Sequence, residues 1–226
     1  MRQFIAVFFA LVFCLSVVQA QTQLIPVERQ NAEASTETKF HYLFENEKFT
    51  TPLLELEFGA DGKGEFRFKK KGSDEIINKL AVTQTVMTQI NFLLTELNFL
   101  ASNENYQYKK DFSHLGTMTI SYSNGGKHRK VSFNYTENAA LNKLANIFRN
   151  IATQETRIFE IETVRQSDPI STPAQLRYLE GELKSRTIAD PERFTPLLLE
   201  IKTDESVPLI ARNHADRLLK EIKKAK

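Results

Sequence analysis

The sequence predicts an α+β protein: a four-stranded antiparallel sheet made from two β-hairpins, each followed by a long helix, and a C-terminal helical tail holding a HEAT-like helix pair. Three observations carry that prediction. Apolar and polar residues alternate in runs joined by glycine-containing turns, which is the two-residue period of strands with one wet face. Elsewhere apolar residues recur at threes and fours, the stripe of an amphipathic helix. Past Asp168, a capping residue followed by proline occurs three times, which marks helix starts.

In chain order, MRQFIAVFFALVFCLSVVQA comes first, a single Arg followed by an apolar run with small residues at Val18 and Ala20. Residues 1–20 therefore read as a signal peptide cleaved after Ala20, leaving Gln21 as the first residue of a secreted or periplasmic protein. An uncleaved anchor is the rival reading, since Phe4 to Ala20 approaches the length that crosses a bilayer. Cleavage would leave no stable membrane anchor. Residues 21–39, polar and without a sustained period, read as a disordered leader.

The ordered body falls into an α+β domain over 40–166 and a helical tail over 167–226. In LLELEF, Leu54, Leu56 and Phe58 alternate with Glu55 and Glu57; EFRFK alternates again after Asp61, Gly62 and Gly64, which closes a hairpin. From Leu80 to Ala101 the stripe of Met87, Ile90, Leu94 and Leu97 predicts a helix of about six turns. A second hairpin pairs Met118, Ile120 and Tyr122 with Val131, Phe133 and Tyr135 around Asn124-Gly125-Gly126. The helix after it is expected to run from Asn138 to Ser167, an interval free of Gly and Pro; a strand at RIFEIETV is the alternative. In the tail, Thr172 with Pro173, Asp190 with Pro191 and Ser206 with Pro208 open three helices, the last two facing each other through Leu198, Ile201, Ile210, His214, Leu218 and Ile222.

The segments ISYSNGG with KVSFNYTEN, and the ending ADPERFTPLLLEIKTDESVPLIARNHADRLL, resemble a group of uncharacterised secreted bacterial proteins in which a domain of unknown function precedes a short helical tail. The resemblance implies export and this domain order. It implies no activity.

Chemistry is mostly excluded. Cys14 is the single cysteine and would leave with the signal peptide, so no disulfide, thiolate metal site or thiol nucleophile is expected. Losing Arg2 from the 30 basic residues leaves 29 against 28 acidic ones, too balanced to draw nucleic acid to the chain. His41, His114, His128 and His214 are widely spaced, without the pairing of a helical zinc site. Asp61 to Glu65 reads as a turn and not a calcium loop. GGKHRK lies between two strands and so cannot present helix N-terminal amides to a phosphate. Lys127, His128, Arg129 and Lys130 then form an edge-strand cluster, with an exposed anion patch as the lesser reading. No catalytic, cofactor-binding or metal-binding residue is assigned, and no cofactor is implied. The leading expectation is an exported, non-catalytic binding or assembly protein whose partner is another envelope or periplasmic protein. A hydrolase or transferase using carboxylates such as Glu55, Glu57 or Asp111, with His114 near Asp111, is one alternative; an anion-binding module at the lysine-rich edge is the other.

Overall fold

Six strands, and not four, make the sheet of the computed structural model, which describes residues 37–224. The predicted signal peptide, its predicted cleavage site and most of the predicted leader lie outside the described residues. The strands are β1 (Lys39–Glu45), β2 (Leu53–Gly59), β3 (Lys63–Lys69), β4 (Glu75–Ala81), β5 (Thr117–Asn124) and β6 (Lys127–Phe133), all antiparallel in the order β4-β3-β2-β1-β5-β6. Both predicted hairpins are present, as β2–β3 and β5–β6. The Gly125-Gly126 turn takes φ of 56° and 76°, values that suit glycine and match a tight hairpin connection.

The two added strands have separate causes. In KFHYLFE, Phe40, Tyr42 and Phe44 alternate inward, so β1 joins the hairpins as the central strand. In EIINKLA, Leu80 stands seven residues before Met87, a distance that fits a helical stripe as well as it fits a strand. The ladder resolves the ambiguity: Leu80 pairs with Gly64 on the inner face of β4. Gly64 is needed there, because a Cβ on it would lie 1.8 Å from the carbonyl oxygen of Glu57.

Helix α1 (Gln84–Glu96) is consequently shorter than six turns at both ends. Its stripe continues in sequence through Leu100, but Asn98 adopts φ 45° and stops the helix. Phe99 N–H then bonds the Leu94 carbonyl at 3.0 Å and Asn98 N–H the Thr95 carbonyl at 2.9 Å, the paired bonds of a left-handed C-terminal cap. Helix α2 (Ala139–Ser167) runs 29 residues through RIFEIETV as a helix, capped at its start by the Asn138 side chain, which accepts from Leu141 N–H at 3.0 Å.

The tail holds α3 (Thr172–Ser185), α4 (Thr195–Thr203) and α5 (Leu209–Lys224). Asp190 caps as expected, accepting from Glu192 N–H at 3.0 Å in a 3-10 turn that leads into α4. Thr172 does not cap: a 3-10 turn over Pro169–Ser171 runs into the helix and leaves Thr172 inside it. Ser206 does not cap either, since its N–H and hydroxyl both bond Asp204. Ile210 lies outside the α4–α5 contact, 64% exposed, and Ala211 occupies the buried position instead.

Two hydrophobic clusters result. The first lies between the inner sheet face and α1 with the N-terminal half of α2; the second gathers α3, α4 and α5 around Ile161 of α2. Among the described residues no helix is long and apolar enough to cross a membrane.

Candidate functional site

Strand pairing places Leu54, Phe44, Met118 and Phe133 in one straight row across β2, β1, β5 and β6, at the end of the inner face. The row is apolar because each residue occupies an inward position of its strand. Here it forms the floor of a cleft of about 830 Å³. One wall is α2, where Asn142, Arg149 and Thr153 are spaced by seven and four residues and so share a helical face. The mouth is formed by the β1–β2 loop with Lys48 and Phe49, by Leu115 before β5, and by Tyr135 after β6. Phe49 is 43% exposed, Leu115 40% and Tyr135 39%, so three large apolar groups line an opening to water.

Aromatic packing holds that mouth in shape. The Tyr135 ring centroid lies 4.9 Å from Phe112 and 5.5 Å from Tyr108, whose N–H bonds the Tyr135 carbonyl at 3.0 Å. Gln107 secures the neighbouring Asn134 at both its N–H and its side-chain oxygen.

The charge of the cleft has one sign. Arg149 and Lys48 are its two charged lining residues, and neither forms an ion pair among the described residues. Among the described residues no carboxylate lines it. Arg149 donates to Asn146 on its own helix, which steadies the guanidinium and leaves donors over. Deeper along β1, burial pushes the Tyr42 hydroxyl well above the usual phenol range, opposed by the positive charge of Arg149. That hydroxyl therefore stays neutral, stacked on Phe148 with ring centroids 5.3 Å apart and without a hydrogen-bond partner among the described residues.

The residues singled out from sequence lie elsewhere. Alternation along β6 divides the basic cluster. Arg129 shares the inward parity of Val131 and Phe133, donating to the carbonyls of Phe99 and Glu104 at 2.8 Å each and covering the Phe99 and Tyr106 rings at 5.2 and 5.1 Å. His128 and Lys130 take the outer parity, with His128 Nδ1 2.8 Å from Ser123 Oγ, while Lys127 stands exposed at the turn. A polar cleft of about 480 Å³ is lined by His128, Arg129 and Lys130 together with the loop of residues 100–106 that Arg129 reaches. The anion-patch reading thus rests on Lys127, His128 and Lys130, because Arg129 is engaged by the loop. Lys69 to Lys71 lie at the end of β3, four strand spacings from β6 or roughly 19 Å, and Lys70 is paired with Glu160 at 2.7 Å.

The carboxylates proposed for acid–base chemistry sit in ion pairs or turns. Glu55 meets His41 at 2.8 Å and Arg67 at 3.2 Å on the outer sheet face, and Glu57 meets Lys39 at 2.7 Å. Asp111 accepts from Ser113 N–H at 2.7 Å, whereas the His114 ring lies beside Phe112. Asp61 accepts from Lys63 N–H at 2.9 Å within its turn. Among the described residues no group of three or more His, Cys, Asp or Glu is placed to hold a metal ion.

No family model matches the chain, and no curated protein matches it. Periodicity and motifs in the sequence do not reveal the cleft. The available signal was Phe49, an aromatic residue in the otherwise polar loop NEKFTTP.

Proposed function

We propose that this is an exported, non-catalytic binding protein that holds an amphiphile, an apolar body carrying an anionic head, in the cleft between α2 and the end of the sheet. One observation carries the reading: an apolar floor of four in-register side chains is overlooked by two cations and no carboxylate. Apolar cavities with a few placed polar groups are the usual form of small-ligand sites, the apolar area supplying affinity and the polar groups orientation. A carboxylate, phosphate or sulfate head would meet Arg149 and take its free donors in charge-assisted hydrogen bonds. The signal-like N-terminus supports a role in the envelope or outside the cell, and the α4–α5 pair acts as a HEAT-like unit bracing the long helix that bears Arg149.

The test uses protein recovered from the exported fraction, whose mass should place Gln21 first. Dodecanoate should displace anilinonaphthalene sulfonate from it, and dodecyltrimethylammonium, equal in chain length and opposite in charge, should displace it far less. Arg149→Met should weaken dodecanoate about tenfold, the loss expected for one charge-assisted hydrogen bond. Equal displacement by both amphiphiles, or an unchanged affinity in the Arg149 variant, refutes the reading.

A further inference from the structure

Helices α3 and α5 present two stripes that run alongside each other. Pro173, Arg177 and Glu180 are spaced by four and three residues on α3; Ile210, His214 and Arg217 are spaced by four and three on α5. Between them lies a groove of about 540 Å³.

Its charges are unequal. Glu180 receives Lys184 at 2.6 Å, His214 at 3.0 Å and Arg217 at 3.3 Å, so one carboxylate is shared by two full cations and an imidazole. Arg177, exposed on the facing stripe, makes no ion pair among the described residues. The groove therefore carries an excess of positive charge that the fold itself does not neutralise.

Its apolar lip is equally unexplained by folding. The buried stripe of α5 is Ala211, His214, Ala215, Leu218, Leu219 and Ile222. Leu209 and Ile210 fall off it, 61% and 64% exposed in the first turn, next to Pro173 across the groove. Isolated exposed apolar residues are ordinary, but adjacent ones at the edge of a concave basic surface are a feature of binding faces.

We infer that this groove docks a segment of a partner protein in which acidic and apolar side chains alternate. Acidic groups would meet Arg177 and Arg217, and the apolar ones would cover Leu209 and Ile210. Complementary charge fixes register and excludes basic segments, while the covered apolar area supplies affinity. The site is independent of the amphiphile cleft, which lies against the sheet at the other half of α2.

Fluorescence anisotropy on the full chain tests this with a fluorescein-labelled peptide of alternating leucine and glutamate. Binding is expected to weaken with salt, as exposed charge pairs do. Arg177→Glu and Ile210→Ser should each reduce affinity about tenfold or more. Both side chains are exposed and outside the core, so the variants should keep the wild-type circular dichroism spectrum. Equal binding of a leucine–lysine peptide or of a serine–glutamate peptide overturns the inference, as does unchanged affinity in either variant. A concentration-dependent dimer abolished by Ile210→Ser would assign the groove to a second copy of the chain, and would likewise overturn it.

Discussion

The two cores that share α2 are built from different material. The sheet core is aromatic: Phe40 stacks on Phe58 and on Tyr122 at 5.0 Å, Phe66 on Phe68 at 5.1 Å, and Tyr42 on Phe148 at 5.3 Å. The tail core is aliphatic, with Phe194 as its one phenyl ring among the described residues. Flat rings on a regular sheet align in rows, and at the end of the strands the row of Leu54, Phe44, Met118 and Phe133 floors a cleft. Branched aliphatic chains on short helices interlock more closely, so the tail places its distinctive chemistry on the surface, in ion pairs. The outcome is an internal cleft in one region and an external basic groove in the other.

Two cores on one helix unfold together only if α2 makes the regions one cooperative unit. Phe148 is 1% exposed and serves the sheet core; Leu198 is fully buried and serves the tail. Phe148→Ala should cost about 3–5 kcal/mol and Leu198→Ala about 2–5 kcal/mol, through lost burial plus the cavity left behind. Denaturation followed by far-ultraviolet dichroism reports both regions, whereas near-ultraviolet tyrosine signals report chiefly the sheet, since Tyr178 is the one tyrosine of the tail. Coincident transitions in both variants are expected. A Leu198→Ala protein that loses helix first while its tyrosine signal stays native would mean that the two cores are autonomous domains.

How much of this was legible follows the range of the interactions. The hairpins β2–β3 and β5–β6 are local, specified by alternation and by Gly62 or Gly125-Gly126, and they stand where the pattern puts them. The long α2 and the three proline-marked tail helices are local too. The alternation of Phe40, Tyr42 and Phe44 suits a strand, but the place of β1 between β2 and β5 is set by pairing over distances that periodicity does not encode. Strand β4 was hidden by Leu80, which satisfies two periods at once, and the end of α1 by Asn98, whose left-handed backbone cuts a stripe that hydrophobicity alone would continue. The cleft was least legible of all: Phe44, Leu54, Met118 and Phe133 come from four strands, and only their register makes them a row.

A smaller effect sharpens the junction between the cores. Glu155 of α2 is buried beside Gln154, which donates to it at 3.0 Å, with Arg193 at 3.7 Å. Gln154 in turn accepts from Asp190 N–H at 2.8 Å, tying the tail's second turn to the long helix. Burial raises the Glu155 carboxyl above its ordinary value, outweighing Gln154 and Arg193. A carboxyl with a raised folded pKa contributes stability that is complete below its unfolded value and is lost as pH rises through the folded one. Wild-type stability should therefore fall, relative to Glu155→Gln, between the ordinary carboxylate range near 4.5 and the raised value. The variant should be the more stable of the two at neutral pH, because burial penalises the ionised form that only the wild type carries. Parallel pH profiles for the two proteins would mean that the junction carries no such penalty.

The smallest expected effect lies wholly within the tail and has the opposite sign. Asp204 accepts from Ser206 N–H at 2.9 Å and from Arg165 at 2.7 Å, fastening the α4–α5 connection to the C-terminal end of α2. The Ser206 hydroxyl and Arg165 hold its carboxyl down at about 2. A depressed carboxyl stabilises above its unfolded value of 3.8 and ceases to do so as pH falls through about 2. Asp204→Asn should lower the melting temperature slightly at pH 7, and the gap to wild type should close as the pH is brought from 4 to 2. If the gap persists in acid, the Asp204 contribution comes from the shape of the turn and not from its charge. If acid shifts the dichroism of the tail before the tyrosine signal of the sheet moves, α2 transmits less between the two cores than their shared helix implies.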